Sequence, residues 1–139
     1  MPLSEDAPSK ESEEPWIFAQ CKLGSYPRHT SRSGKWNVFV VSSRVDVVWA
    51  DIKAALENGK LGSQAKVSTA CPSSNSNDPN QSVICVYTYD GDDEEDVMRV
   101  REALRQLGIT GKIGWKSDDT TRRGLYQVRG DTRISRYWV

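Results

Sequence analysis

The sequence predicts an α+β fold: a curved, mainly antiparallel sheet with two helices packed on one of its faces. Two segments, 45–56 and 97–107, repeat apolar residues at helical spacing. Several short runs of Val, Ile and aromatic residues read as strands. Together they run strand, strand, helix, strand, strand, helix and then three strands, an order that leaves one sheet face without a helix. An open concave face is a natural ligand site. The chain has 139 residues, the length of one domain. We assign the domain to residues 15–139, after a disordered acidic tail over 1–14 that is rich in Ser, Glu and Pro.

The first strand covers 15–20 and begins with Pro15, which cannot donate to a ladder. A long loop with Gly24, Pro27 and Gly34 leads to a second strand over 36–41, apolar on both faces and therefore central. Ser43 is placed to cap the first helix, with Asp46 three residues on. Val45, Val48, Trp49, Ile52, Ala55 and Leu56 make its buried stripe, and Asn58-Gly59 ends it. The third strand, 65–71, puts Lys66 and Ser68 on one face and Val67 on the other. A Ser/Asn/Asp/Pro loop separates it from the strongest strand, 83–89, again central. The second helix begins near Asp92; its acidic first turns and later arginines match the helix dipole. Val97, Val100, Leu104 and Leu107 form its stripe, and Gly108 stops it. Short strands follow over 113–116, 125–128 and 134–138.

No apolar run approaches the length of a membrane span, and the polar, acidic start is unlike a secretory or transit signal. Cys21, Cys71 and Cys85 are odd in number and scattered, so neither a disulfide framework nor a zinc site is readable. A reduced compartment, the cytoplasm or also the nucleus, is expected. Formal charge is zero but segregated: −4 over 1–14, +4 over 15–89, −6 over 90–96 and +6 over 97–139. Such a pattern is either a solvated charged surface or a basic face that receives an anion. Arginine, the bidentate partner of phosphate, dominates the last third.

Arg32-Ser33-Gly34-Lys35-Trp36 and the apolar strand after it, the helix with Trp49, the stretch from Val83 through the second helix, and Gln106-Leu107-Gly108 running into Lys116-Ser117-Asp118-Asp119-Thr120-Thr121 resemble the cap-binding translation initiation factor fold. More closely, the chain is similar to the basophilic-leukaemia-expressed protein family. That likeness rests on Ser33-Gly34-Lys35-Trp36, Gly59-Lys60-Leu61-Gly62, Ala65-Lys66-Val67-Ser68-Thr69, residues 83–90, Thr121-Arg122-Arg123-Gly124-Leu125-Tyr126 and Arg129-Gly130-Asp131-Thr132-Arg133. The resemblance implies an initiation-factor-4E-like fold and no settled activity. In the cap-binding proteins aromatic rings sandwich a methylated guanine, a carboxylate bonds its edge, and Lys and Arg hold the phosphates. Pro27 and Arg28 stand where that pattern has the acidic group, and an Arg repels a cationic guanine.

The leading functional expectation is an intracellular binding module for a phosphorylated ligand, a nucleotide or RNA end, on the concave face. Tyr26 is the candidate stacking ring, beside Arg28. Lys66, Ser68, Arg122, Arg123 and Arg133 are the candidate phosphate ligands, since several cations are needed to hold a dianion. No cofactor or metal is expected. Two alternatives stay open. One is an enzyme acting on a phosphorylated substrate at the same site, like a phosphothreonine lyase, with Lys66 as base, His29 as acid and Arg122 and Arg123 as clamp. The other is a protein-interaction adaptor that works through the outer helix faces.

Overall fold

The computed structural model describes residues 7–72, 80–118 and 135–139. Six strands form one sheet: β1 (Trp16–Gln20), β2 (Gly34–Val41), β3 (Gln64–Ser68), β4 (Gln81–Thr88), β5 (Gly114–Ser117) and β6 (Tyr137–Trp138). Helix α1 (Val45–Glu57) follows β2, and α2 (Glu94–Gln106) follows β4. Spatial order is β1-β3-β4-β2-β5-β6, and every neighbouring pair is antiparallel. The two strands read as central, β2 and β4, are central and lie side by side. The strand expected over 125–128 lies outside the described residues.

Alternation divides the sheet into two faces. Trp36, Val38 and Val40 of β2, Ala65 and Val67 of β3, and Ile84 and Val86 of β4 point into the main core. The helices cover that face with Val45, Trp49, Ile52 and Leu56 from α1 and Val97, Val100 and Leu104 from α2. Each large apolar side chain buried there contributes on the order of 1.5–3 kcal/mol. Trp36, Trp49 and Trp115 are wholly buried. The indole N–H of Trp36 donates to Val97 O at 3.1 Å and that of Trp115 to Thr88 Oγ1 at 3.0 Å, so neither polar handle is stranded. Space around Trp115 is made by glycine. A Cβ on Gly34 would sit 2.4 Å from its ring and one on Gly91 2.5 Å.

The helix ends differ in one respect from the sequence reading. Asp93 caps α2 by accepting the Asp96 N–H at 3.2 Å, ahead of the acidic first turn. Helix α1, by contrast, has Arg44 rather than Ser43 at its N-cap and no side-chain cap bond. Its first-turn carboxylate, Asp46, accepts instead from the backbone N–H and hydroxyl of Ser9, at 3.0 and 2.6 Å. Of the segment expected to be a tail, residues 1–6 lie outside the described residues. Beyond Ser9, the Ala70 N–H donates to Pro8 O at 3.1 Å and the Thr69 hydroxyl to Glu14 O at 2.5 Å. Those bonds take the backbone beyond Ser68 away from β4, so β3 stops short of the predicted residue 71.

Arg101 is the largest charged side chain in the core and is wholly buried. Its guanidinium donates to the carbonyls of Val139, Ile109 and Gly111 at 3.0, 2.9 and 2.8 Å. Burial lowers its pKa, and the like charge of Arg105 lowers it further. Through those three bonds Arg101 fixes the turn between α2 and β5. No described helix is long and apolar enough to cross a membrane.

Candidate functional site

The face away from the helices carries Trp16 and Phe18 of β1, Lys66 and Ser68 of β3, Val83, Cys85 and Tyr87 of β4, and Lys35, Asn37 and Phe39 of β2. Trp16, Val83, Cys85 and Tyr87 form a second, smaller apolar cluster there. Register fixes who meets whom. Phe18 lies opposite Lys66, Lys66 opposite Cys85, and Cys85 opposite Asn37. One row further along, Tyr87 lies opposite Lys35 and Lys35 opposite Lys116.

Lysines from three strands therefore share this face. All three act on the Cys85 thiol: burial raises its pKa most, and Lys66, Lys35 and Lys116 each pull it back down. Cys85 donates weakly to Asn37 Oδ1 at 3.4 Å, which suits a small buried thiol rather than a nucleophile. The Lys66 ammonium lies 4.0 Å from the centre of the Trp16 ring. Lys35 is almost wholly buried, pairs with Asp118 at 3.0 Å and lies 5.7 Å from the centre of the Tyr87 ring. Lys116 has its pKa lowered, first by burial and then by the like charge of Lys35. Burial also raises that of the Tyr87 hydroxyl. Phe18, 59% exposed, is a bare ring beside Lys66.

The residues singled out in the sequence are spread over this frame. Lys66 and Ser68 share the open face as expected. Ser68 is wholly buried and its hydroxyl accepts the Val83 N–H at 2.8 Å, joining β3 to β4. Tyr26 is half-buried. Its hydroxyl donates to Asp96 Oδ2 at 2.5 Å and accepts the Tyr89 N–H at 3.0 Å, and its ring meets Tyr89 edge-on. That links the loop between β1 and β2 to the start of α2 and raises the Tyr26 pKa, through burial first and the Asp96 bond second. Arg28 is exposed on the same loop. His29 stacks obliquely near Tyr87, 5.9 Å between ring centres, with Nε2 3.1 Å from Ser63 Oγ. Arg122, Arg123 and Arg133 lie outside the described residues. Among the described residues no group of three His, Cys, Asp or Glu is placed to hold a metal.

Lys35, Lys116 and Phe18 were missed in the sequence. Lys35 and Lys116 each neighbour a core tryptophan, so alternation alone turns them to the opposite face. Their mutual adjacency depends on β2 pairing with β5, which no local pattern reveals.

The model of the family described as "Basophilic leukemia-expressed protein Bles03" matches residues 10–121. The chain belongs to that family. Its fold is also that of the eIF4E proteins. Schistosome eIF4E, solved with m7GpppG and 4E-BP, aligns at TM-score 0.57 and 15% identity over 78% of this chain and 59% of its own. C. elegans eIF4E-3, in complex with the 4E-binding protein Mextli and a cap analog, aligns at TM-score 0.55 and 18% identity over 78% and 57%. Ascaris suum eIF4E-3 with the m7G cap aligns at 0.53 and 16% over 78% and 57%. The chain thus spans less than three-fifths of the length of those structures. The likeness to them is one of fold.

Proposed function

We propose that the protein binds a phosphorylated ligand, a nucleotide or an RNA end, on the open sheet face in the cytoplasm or nucleus. One observation carries this reading: Lys66, Lys35 and Lys116 stand on three different strands of the same open face, Lys66 opposite Cys85 and Lys35 opposite Lys116 one row on, with the exposed Phe18 ring opposite Lys66. A phosphate brought there gains charge-assisted bonds on a partly desolvated surface. A base has Phe18, with Trp16 next to it on the same strand face, on which to stack. The eIF4E structures of this fold hold cap nucleotides, which supports a nucleotide as the ligand class. Arg122 and Arg123, outside the described residues, stay candidate phosphate ligands on their sequence alone. In this reading Tyr26 orders the loop rather than stacking, because its hydroxyl is engaged on both sides.

Titration of guanosine nucleotides and a short single-stranded RNA at two salt concentrations tests the reading. About three phosphate contacts give a log–log salt slope near −2, at roughly −0.7 each. Joint replacement of Lys66 and Lys116 by Gln, or of Arg122 and Arg123 by Gln, flattens the slope and weakens binding about tenfold or more, at ~1.5–3 kcal/mol per charged bond. Unchanged slopes in both double variants overturn the assignment of these residues. Absence of binding by the wild type overturns the ligand class and turns attention to protein partners, which the eIF4E complexes with 4E-BP and Mextli make the second reading. Chemical conversion of the nucleotide would make the protein an enzyme.

A further inference from the structure

Among the described residues the sheet has a gap at one edge, away from the lysine cluster. Strand β2 pairs with β4 along its whole length, 34–41, but with β5 only from Gly34 to Asn37. Beyond Asn37 no described strand lies on that side. The backbone parity is fixed at the other end, where Ser33 O accepts the Asp118 N–H. Every second residue faces the same way. The N–H and C=O of Phe39 therefore point outward along the bare edge. Strand β5 does not extend to meet them, because the turn before it is tied down by Arg101, which takes the Ile109 and Gly111 carbonyls.

A cavity of about 510 Å³ opens at this edge. On its helix side it is lined by Val38, Val40, Val48, Leu107 and Ile109. On its open side stand Phe39 and Trp138, which are 64% and 53% exposed. The rim carries exposed Arg44 and Lys112, neither of which makes an ion pair among the described residues, against one carboxylate, Asp51.

We propose that this gap is a docking site for an extended peptide segment of another protein, added to the sheet as a strand beside β2. Each part of the site fits one feature of such a segment. Phe39 supplies the ladder bonds. An apolar side chain pointing one way fills the space among Val48, Leu107 and Ile109, and the next one, pointing the other way, lies between the Phe39 and Trp138 rings. Arg44 and Lys112 favour a segment that also carries a carboxylate. A helix fits poorly, because it has no free backbone donors or acceptors along its side for the strand edge.

A random octapeptide library displayed on phage and selected on the full chain tests this, with enriched clones remade as free peptides. The expected winners alternate apolar residues and include Asp or Glu. Their binding falls at least tenfold when alternate peptide nitrogens are methylated, and at least tenfold on Val48→Trp, which fills the cavity. Lys112→Glu weakens the acidic peptides severalfold. Phe39→Pro, which removes the outward N–H and leaves the β4 ladder bonds in place, is a second variant should Val48→Trp melt early. Nucleotide affinity stays at the wild-type value in Val48→Trp, so this test stands or falls separately from the lysine site. Failure to enrich any clone sensitive to these changes overturns the proposal, as does enrichment of helix-patterned peptides. Self-association of the wild type that Phe39→Lys abolishes also overturns it, by giving the edge to a second copy.

Discussion

At the scale of single residues, polar side chains hold together parts of the chain far apart in sequence. The Tyr26 hydroxyl joins the loop before β2 to α2 and to the end of β4. Tyr26→Phe keeps the ring and removes both bonds, so it costs about 1–3 kcal/mol, read from urea denaturation. A change below a few tenths would mean the loop is held by packing alone. Asp90 is similarly placed: Arg32 donates to it twice, at 2.9 and 2.6 Å. The hydrogen bond from Arg32 is the main cause that holds its carboxyl below the usual range. A carboxyl with a lowered folded pKa stabilises the fold above its unfolded value near 4, and the effect disappears as pH falls through the folded value. Asp90→Asn therefore melts below the wild type at pH 7, and the difference shrinks as pH falls below the unfolded value. A gap independent of pH would show that the ion pair contributes nothing.

At the scale of elements, the apolar stripes of α1 and α2 were legible because they are local. Val45, Trp49, Ile52 and Leu56 repeat within one helix, and all are buried. Trp49→Ala removes the largest of them and costs about 3–5 kcal/mol in chemical denaturation, with a cavity left under the sheet. Wild-type stability would show that α1 packs through other residues. The α1 cap was misread for the opposite reason. Ser43 has the right chemistry at the right spacing, but the partner that matters, Ser9, comes from another segment altogether. Phe39 and Val41 show the same limit from the other side. Apolar on both faces, β2 reads as a central strand and is one, yet these two side chains are exposed because they lie on the face that the described helices do not cover. Sequence gives the face, not what covers it.

At the scale of the molecule, strand order decides the site. Lys35 and Lys116 are 81 positions apart in the chain and opposite each other in the sheet. Only Lys66 was placed on the open face from its own strand, because a charge inside an alternating run must turn outward. The cations expected to join it, Arg122, Arg123 and Arg133, fall outside the described residues. The N-terminal segment offers a test at this scale. Deleting residues 1–10 removes the Ser9 bonds to Asp46 and the Pro8 bond to Ala70, and at ~0.5–1.5 kcal/mol each lowers Tm by several degrees. Deleting residues 1–6 alone keeps those contacts and leaves Tm higher. Equal melting of the two truncations would show that the contacts are too weak to matter.

The distribution of the five indoles makes the protein its own optical probe. Trp36, Trp49 and Trp115 are sealed in the core, where an aqueous quencher such as iodide does not reach them. The other two stand at the two proposed sites, Trp16 beneath the Lys66 ammonium and Trp138 at the strand gap. Emission that iodide can suppress therefore comes from the two places where a ligand would arrive. In a Trp138→Phe chain the quenchable light reports on the lysine face, and in a Trp16→Phe chain it reports on the gap. Nucleotide shields the first from iodide and peptide shields the second, so occupancy of each site is read in one cuvette without any label.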